Sequence, residues 1–258
     1  MTLSLRPLAA ALFAIAVAMP AAASAQTQSF SPDQRGAIEQ IIREYLLSHP
    51  ELLQEAMAEL EKRQSMAEAE RHREGVKQHA AIIFSSPRQI TLGNPQGDVT
   101  VVEFFDYNCG YCKRAMADMM DLVKADPKLK FVLKEFPVLG EGSTQAAEVA
   151  VAVRMQDKTG GKKYLEFHQK LLGGRGQADK ARAVAVAKEI GLDMARLEKD
   201  MASDEVKATL QESFKLAEAL GLNGTPSYVV GSDVVIGAVG LPVLKERVNT
   251  ARCGKATC

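Results

Sequence analysis

The sequence predicts an α/β protein: a β–α–β unit, a block of helices and a closing β–β–α unit, with an α-helical segment in front. Three observations predict it. Val99-Thr100-Val101-Val102-Glu103 and Phe131-Val132-Leu133-Lys134-Glu135-Phe136 are short runs dense in β-branched and aromatic residues. Between them Met116, Met119, Met120 and Val123 recur at helical spacing, and a helix linking two strands implies a parallel crossover. Finally, Ser227-Tyr228-Val229-Val230 and Val234-Val235-Ile236 flank Gly231-Ser232-Asp233, a hairpin signal, ahead of a last helix over Leu241 to Ala251.

The first 25 residues are expected to be a signal peptide rather than part of the fold. Arg6 supplies a positive start, Leu8 to Met19 is apolar, and Ala23-Ser24-Ala25 is a small-residue cleavage pattern. The apolar run is short for an uncleaved anchor, and no other stretch of the chain is expected to cross a bilayer. Export to the periplasm fits this signal best. Lys and Arg number 32 against 32 Asp and Glu, which gives no basic field for nucleic acid. Losing Arg6 with the signal leaves a charge of about −1.

Residues 26–60 form the N-terminal helical segment. Ser31-Pro32-Asp33-Gln34 reads as a helix start, with Ser31 as N-cap, Pro32 in the first turn and Gln34 closing a capping box. Ile38, Ile41, Ile42, Tyr45 and Leu46 line one face. Ser48-His49-Pro50-Glu51 breaks the helix, and Leu52, Leu53, Ala56, Met57 and Leu60 line the next. Two such helices either pack on the main domain or associate with copies of themselves. Residues 61–81 favour association through residues 31–60. They are almost wholly polar, with opposite charges at helical spacing, and read as a charged helical linker with a weak point at Gly75.

The main domain is expected over residues 82–258. Ala81 to Phe84 is an apolar patch near its start, and Asn94-Pro95-Gln96-Gly97-Asp98 is a turn into the first strand. The helical block, about residues 143–220, contains Ala146 to Met155, Tyr164 to Leu172, Ala178 to Ile190, Met194 to Met201 and Asp204 to Leu220. Gly173-Gly174-Arg175-Gly176 follows a helix rather than a strand, so it is an interhelical turn and not a nucleotide loop.

The chemistry is concentrated in Cys109-Gly110-Tyr111-Cys112, where the first strand ends and a helix begins. Backbone N–H groups and the positive end of the helix dipole stabilise a thiolate there. Cys109 is then the attacking thiolate. Cys112, one turn on, is placed to resolve a mixed disulfide. A static disulfide is the alternative, and in an exported chain this spacing at a strand–helix junction points to redox exchange instead. Glu103 is flanked by apolar residues on both faces of its strand, which favours a buried carboxyl with raised pKa over a solvent-facing one. Lys134 is either its ionic partner or a solvated lysine. Cys253 and Cys258, with four residues between them, form a second disulfide in the first reading; a redox relay or a soft-metal clip are the others. Met116, Met119 and Met120 read as core filling rather than copper(I) ligands. His49, His72, His79 and His168 form no spaced ligand set and are expected on helix surfaces, so no metal site is assigned.

This order of elements, with Cys-x-x-Cys ending the first strand, resembles a thioredoxin fold with a helical insertion, as in the DsbA family of bacterial periplasmic disulfide oxidoreductases. The resemblance covers roughly residues 85 to 258. In that family Glu103 would be the buried acidic residue that helps move the proton of the second cysteine. Thr225-Pro226 would be the cis-proline loop that pairs with a bound peptide. The Gly110-Tyr111 dipeptide and Thr225 depart from the DsbA oxidase pattern and look like DsbC, the disulfide isomerase. Ser31 to Glu51 resembles the N-terminal segment of ScsC-type (suppressor of copper sensitivity) proteins, which in some members builds a trimer. The resemblance implies protein thiols or disulfides as substrates, no dissociable cofactor, and a membrane redox partner. An oligomeric isomerase or reductase is the expectation; a monomeric oxidase and a periplasmic copper-binding protein are the alternatives.

Overall fold

The computed structural model describes residues 30–258; the expected signal peptide lies outside the described residues. The described residues up to Ala58 and those from Glu59 onward form two compact units.

In the first unit, helix α1 runs Pro32–Ser48. Its start is the capping box read from the sequence: Gln34 N–H donates to Ser31 Oγ at 3.2 Å, and Ser31 N–H donates to Gln34 Oε1 at 2.9 Å. No residue of α1 is buried, and Ile38, Ile41, Ile42, Tyr45 and Leu47 are all exposed. After the break at His49-Pro50, α2 begins at Glu51 and continues as one helix to Ser85.

The second unit is built on a five-stranded sheet in the order β1-β3-β2-β4-β5. The strands are β1 Ile90–Gly93, β2 Val99–Phe105, β3 Leu129–Glu135, β4 Ser227–Val230 and β5 Asp233–Ile236. β2 and β3 are parallel, joined through α3 (Gly110–Ala125), while the other pairs are antiparallel. Five helices separate β3 from β4: α4 Glu141–Gln156, α5 Lys162–Gly173, α6 Lys180–Glu189, α7 Met194–Met201 and α8 Asp204–Ala219. Helix α9, Leu241–Cys253, closes the chain. The edge strand β1 is absent from the sequence reading. Its four residues Ile90-Thr91-Leu92-Gly93 are too short a run to stand out from the turn that follows.

Side-chain alternation along β2 sorts the core into two layers. Val101 and Phe105 face one layer with Phe131, Leu133, Tyr228, Met119 and Leu122; Val102 and Phe104 face the other with Val132, Val229, Leu216 and Leu220. Helix α4 is buried almost all round, from Ala146 through Val153, and forms the centre of the helical insertion.

Gly75 does not break α2. It is buried where the helix passes the end of α8, and a Cβ there would stand 3.1 Å from the Ala219 carbonyl oxygen. Val76 and Ile83 fill the second layer, so packing of the main body reaches back through α2 beyond residue 82. Carbonyls of the last turn are satisfied from β3: Lys134 Nζ donates to the Ile82 oxygen at 3.0 Å and Lys130 Nζ to the Phe84 oxygen at 2.7 Å. Lys134 is therefore not the partner of Glu103. It stands opposite Phe104 in the β2–β3 register, on the other face of the sheet, and pairs with Glu212 of α8 at 3.5 Å.

Adjacent isoleucines of α2 test this packing. Ile83 is fully buried, so Ile83→Ala should cost about 3 kcal/mol and lower the Tm by about 9 °C. Ile82, which is exposed, should tolerate Ile82→Ala within about 0.5 kcal/mol in the same thermal melts.

Candidate active site

The site forms where β2 hands the chain to α3. Cys109 is the N-cap of α3, in extended backbone geometry, and the Cys112 N–H donates to its sulfur at 3.0 Å. Both thiols are free and buried. The Cys109 pKa is lowered to about 6, first by its hydrogen bond with the Cys112 thiol. Burial works against this shift, while the Thr225 side chain and the N–H groups of Cys112 and Tyr111 assist it. The Cys112 thiol is pushed far up, chiefly by burial, and secondly by the hydrogen bond that its S–H donates to the Cys109 sulfur. Two cysteines three residues apart thus acquire opposite characters: one sulfur ionised near neutral pH, the other held as a thiol.

Thr225-Pro226 is a cis peptide, and the Thr225 carbonyl oxygen lies 3.2 Å from Cys109 Sγ, placed to accept from the thiol form. Glu103 is buried on the β2 face that α3 covers, level with Tyr228 of β4. Its pKa is raised to about 8 by burial first, then by the charges of Cys109 and Asp118. Cys112 and Thr225 therefore meet at the Cys109 sulfur, Pro226 follows Thr225 across the cis bond, and Glu103 lies near enough to feel the Cys109 charge. Cys253 and Cys258 are joined to each other at the exposed end of α9, with a Cα–Cα distance of 6.2 Å. Met119 is buried, and Met116 and Met120 pack against the same core layer. Among the described residues no group of three or more His, Cys, Asp and Glu side chains could hold a metal ion.

The sequence reading misses the fastening of the turn. Asp106 is buried, and its carboxylate accepts four hydrogen bonds: from Asn108 N–H (2.7 Å), Ser143 Oγ (2.8 Å), Val138 N–H (2.8 Å) and Leu139 N–H (2.9 Å). Asn108 imitates a backbone unit against Ala178. Its Nδ2 donates to the Ala178 oxygen at 2.8 Å, and its Oδ1 accepts from the Ala178 N–H at 2.7 Å. The turn before Cys109 is thus tied to the start of α4 and to Ala178, two residues ahead of α6. The local half of this, an Asp side chain accepting two residues on, is a familiar turn signal. The contacts to residues 138, 143 and 178 carry no local signal.

A second buried carboxyl, Glu135, lies on the same face of the sheet. It accepts from Tyr164 OH, and from Tyr107 OH at 3.5 Å; burial foremost raises its pKa to about 8. His168 is packed here too, which corrects its expected place on a helix surface. With Tyr164, Phe167 and Leu171 it forms the inward stripe of α5, a helical spacing that the sequence does contain. Its ring stands 4.7 Å from Phe105 and 5.6 Å from Tyr107, centroid to centroid, and burial alone lowers its pKa to about 3, so it is neutral.

Fold and site together define a thioredoxin-fold protein with a dithiol at the start of α3, the helix that joins its two parallel strands. The DSBA-like thioredoxin domain family matches residues 100–249, and the chain belongs to that family. Residues 34–67 match the N-terminal domain of copper resistance protein ScsC, making this a DsbA-family chain with an ScsC-like front segment. Among solved structures, a thioredoxin-like oxidoreductase from Silicibacter pomeroyi is 48% identical, with 67% of this chain and 96% of that one covered and a TM-score of 0.63. BcfH of Salmonella enterica Typhimurium is 26% identical over 85% of this chain and 96% of its own, with a TM-score of 0.74. Among curated relatives, the Na(+)/H(+) antiporter NhaA 1 of Salinispora arenicola is 26% identical over 169 residues. The match takes in 65% of this chain and spans only 25% of that relative's length.

Two outcomes follow from the pKa pattern. The rate of Cys109 alkylation by iodoacetamide should rise with pH through a midpoint near 6, because the depressed pKa keeps the thiolate until pH falls through that value. A midpoint near 9 would contradict the geometry. For Glu103 the sign is opposite: between pH 4.5 and 8 the unfolded chain releases this proton and the folded chain keeps it, so stability falls as pH rises through that window. Glu103→Gln should therefore melt progressively higher than wild type from pH 5 to pH 8, while resolution of a mixed disulfide at Cys109 slows about 10-fold or more.

Proposed function

We propose that this chain is a periplasmic thiol:disulfide oxidoreductase that acts on protein disulfides as an oligomeric isomerase or reductase. The observation that carries this reading is the Cys112 N–H on the Cys109 sulfur, with the two thiol pKa values driven apart. In reduction, the Cys109 thiolate attacks one sulfur of a substrate disulfide, forms a mixed disulfide and releases the other sulfur as a thiolate, which takes a proton from solvent. The negative charge on Cys109 is thereby lost, and with it one of the influences holding Glu103 protonated. Glu103 then releases its own proton to solvent, its carboxylate accepts the Cys112 proton, and the new thiolate attacks Cys109 Sγ. The substrate's second thiol leaves, and the Cys109–Cys112 disulfide remains. In isomerisation a substrate thiolate attacks the mixed disulfide instead, and no net oxidation occurs. No dissociable cofactor enters either route.

Direction and location rest on other features. Residues 1–25 have the pattern of a cleavable export signal, and among the described residues no helix is long and apolar enough to cross a membrane. The exposed apolar residues of α1, together with the ScsC match over residues 34–67, support self-association through residues 31–60. A dithiol that reduces or isomerises must be kept reduced, which implies a membrane reductase as partner. Thr225-Pro226 is the proposed peptide-binding loop, and Cys253–Cys258 a disulfide that stabilises the end of the chain. The copper-resistance description of the matching N-terminal family favours one further reading, a copper(I) carrier that uses the Cys109–Cys112 dithiol. A carrier would bind about one metal per thiol pair with negligible turnover, whereas the oxidoreductase turns over excess substrate in the presence of a chelator.

Refolding of scrambled ribonuclease tests the main reading. Residues 26–258 should restore activity, and a truncation beginning at Glu59, which keeps the buried Val76 and Ile83, should lose most of that ability while still reacting through Cys109. If neither restores activity but both oxidise reduced ribonuclease, the protein is a disulfide oxidase and the isomerase reading is wrong.

A further inference from the structure

Beside Cys109 lies a groove of about 280 Å³, and its walls carry charge of one sign. One wall is the start of α3, where Lys113 follows the dithiol by one residue. Opposite is the turn Gly174-Arg175-Gly176 at the end of α5, and Leu171 and Leu172, both buried, give it an apolar floor. None of the residues lining it is acidic.

Two of the cations beside the groove are held in place. Lys113 Nζ donates to the Gly174 oxygen at 2.7 Å, tying the turn to α3 and leaving the ammonium at the rim. The Arg182 guanidinium packs flat on Gly174, where any Cβ would collide with it, and lies near Gly176 as well. Just beyond the dithiol, Arg114 sits over the ring of the exposed Tyr111, 4.3 Å from its centroid. The nearby carboxylates are turned to other partners. Asp106 is buried with both oxygens engaged by Asn108, Ser143, Val138 and Leu139, and Asp179 Oδ1 caps α6 by accepting from the Arg182 N–H.

We propose that this groove selects protein segments carrying carboxylate side chains beside the reacting cysteine. The inference rests on the oxidoreductase reading and adds its substrate class. Lys113, Arg175 and Arg182 supply the complementary charge, and the Leu171–Leu172 floor takes an apolar neighbour of the acidic residue. An extended segment, rather than a small anionic thiol, matches a groove that combines an apolar floor with cations on a rim. Such a field steers encounter and holds the mixed disulfide without changing the sulfur chemistry.

The test uses residues 26–258 and four disulfide substrates. Two are peptides alike except that glutamates or lysines flank the cysteine; the others are oxidised glutathione and cystamine, a small anionic and a small cationic disulfide. At about 20 mM ionic strength the acidic peptide should exchange roughly 10-fold faster than the basic one, and the ratio should fall below about 2 at 0.5 M salt. Lys113→Gln combined with Arg175→Gln should collapse the ratio even at low salt. The same substitutions also act on the Cys109 thiolate, but that effect, read by iodoacetamide alkylation, scales both peptides alike and leaves the ratio untouched. A ratio near one, a ratio that survives the double substitution, or a preference confined to glutathione would overturn the proposal while leaving disulfide exchange standing. Failure to exchange with any of the four would overturn the oxidoreductase reading along with it.

Discussion

The sulfur of Cys109 does the work that a serine or aspartate oxygen does at an ordinary helix start: it accepts a hydrogen bond from the backbone N–H three residues on. Every other feature of the site depends on that substitution of sulfur for oxygen. A thiolate that caps a helix is stabilised by the orphan N–H groups and by the helix dipole. The same geometry draws Cys112 under it, and burial there leaves the second sulfur no route to ionise unless its surroundings change. Reactivity is thus written into the strand–helix junction, with the rest of the domain serving to keep that junction in place.

The keeping is done by buried polar groups. Asp106 concentrates four hydrogen bonds on the turn, and Asn108 links it to Ala178, so the loop is braced by the helical insertion at two points. Below it, Glu103 and Glu135 sit on one face of the sheet, two register positions apart, each raised toward neutrality by burial. Their surroundings differ. Glu103 lies beside the dithiol and feels the charge of Cys109, whereas Glu135 is held by two tyrosine hydroxyls. That difference separates a carboxyl able to respond to the state of the sulfur from one that ties β3 to α5 and the turn.

Much of this was legible from the residues in order. The β–α–β unit, the five helices of the insertion and the hairpin follow from hydrophobic period, and the capping box at Ser31 follows from four consecutive residues. The dithiol and its asymmetry follow from two cysteines at a strand–helix junction. Legibility ends where a partner is distant in sequence. Lys134 and Glu103 look like neighbours on paired strands, yet alternation sends them to opposite faces once the register is known, and Lys134 finds Glu212 instead. His168 was read as a surface histidine although its spacing from Tyr164 and Leu171 marks the inward stripe. Gly75, read as a weak point, is a close-approach residue, because α2 passes the end of α8 there.

The sequence by itself determined where the two thiols stand, at a strand–helix junction, and most of the strands and helices around them, because those depend on local periodicity, capping and the backbone's own dipoles. Only the tertiary structure decided what surrounds the reacting sulfur. The Thr225 carbonyl comes from 116 positions away, and the turn at Gly174 that faces Lys113 from 61. A pKa depends on everything within a few ångströms of a group, and sequence distance carries no information about that neighbourhood until the sheet register and helix packing bring it together.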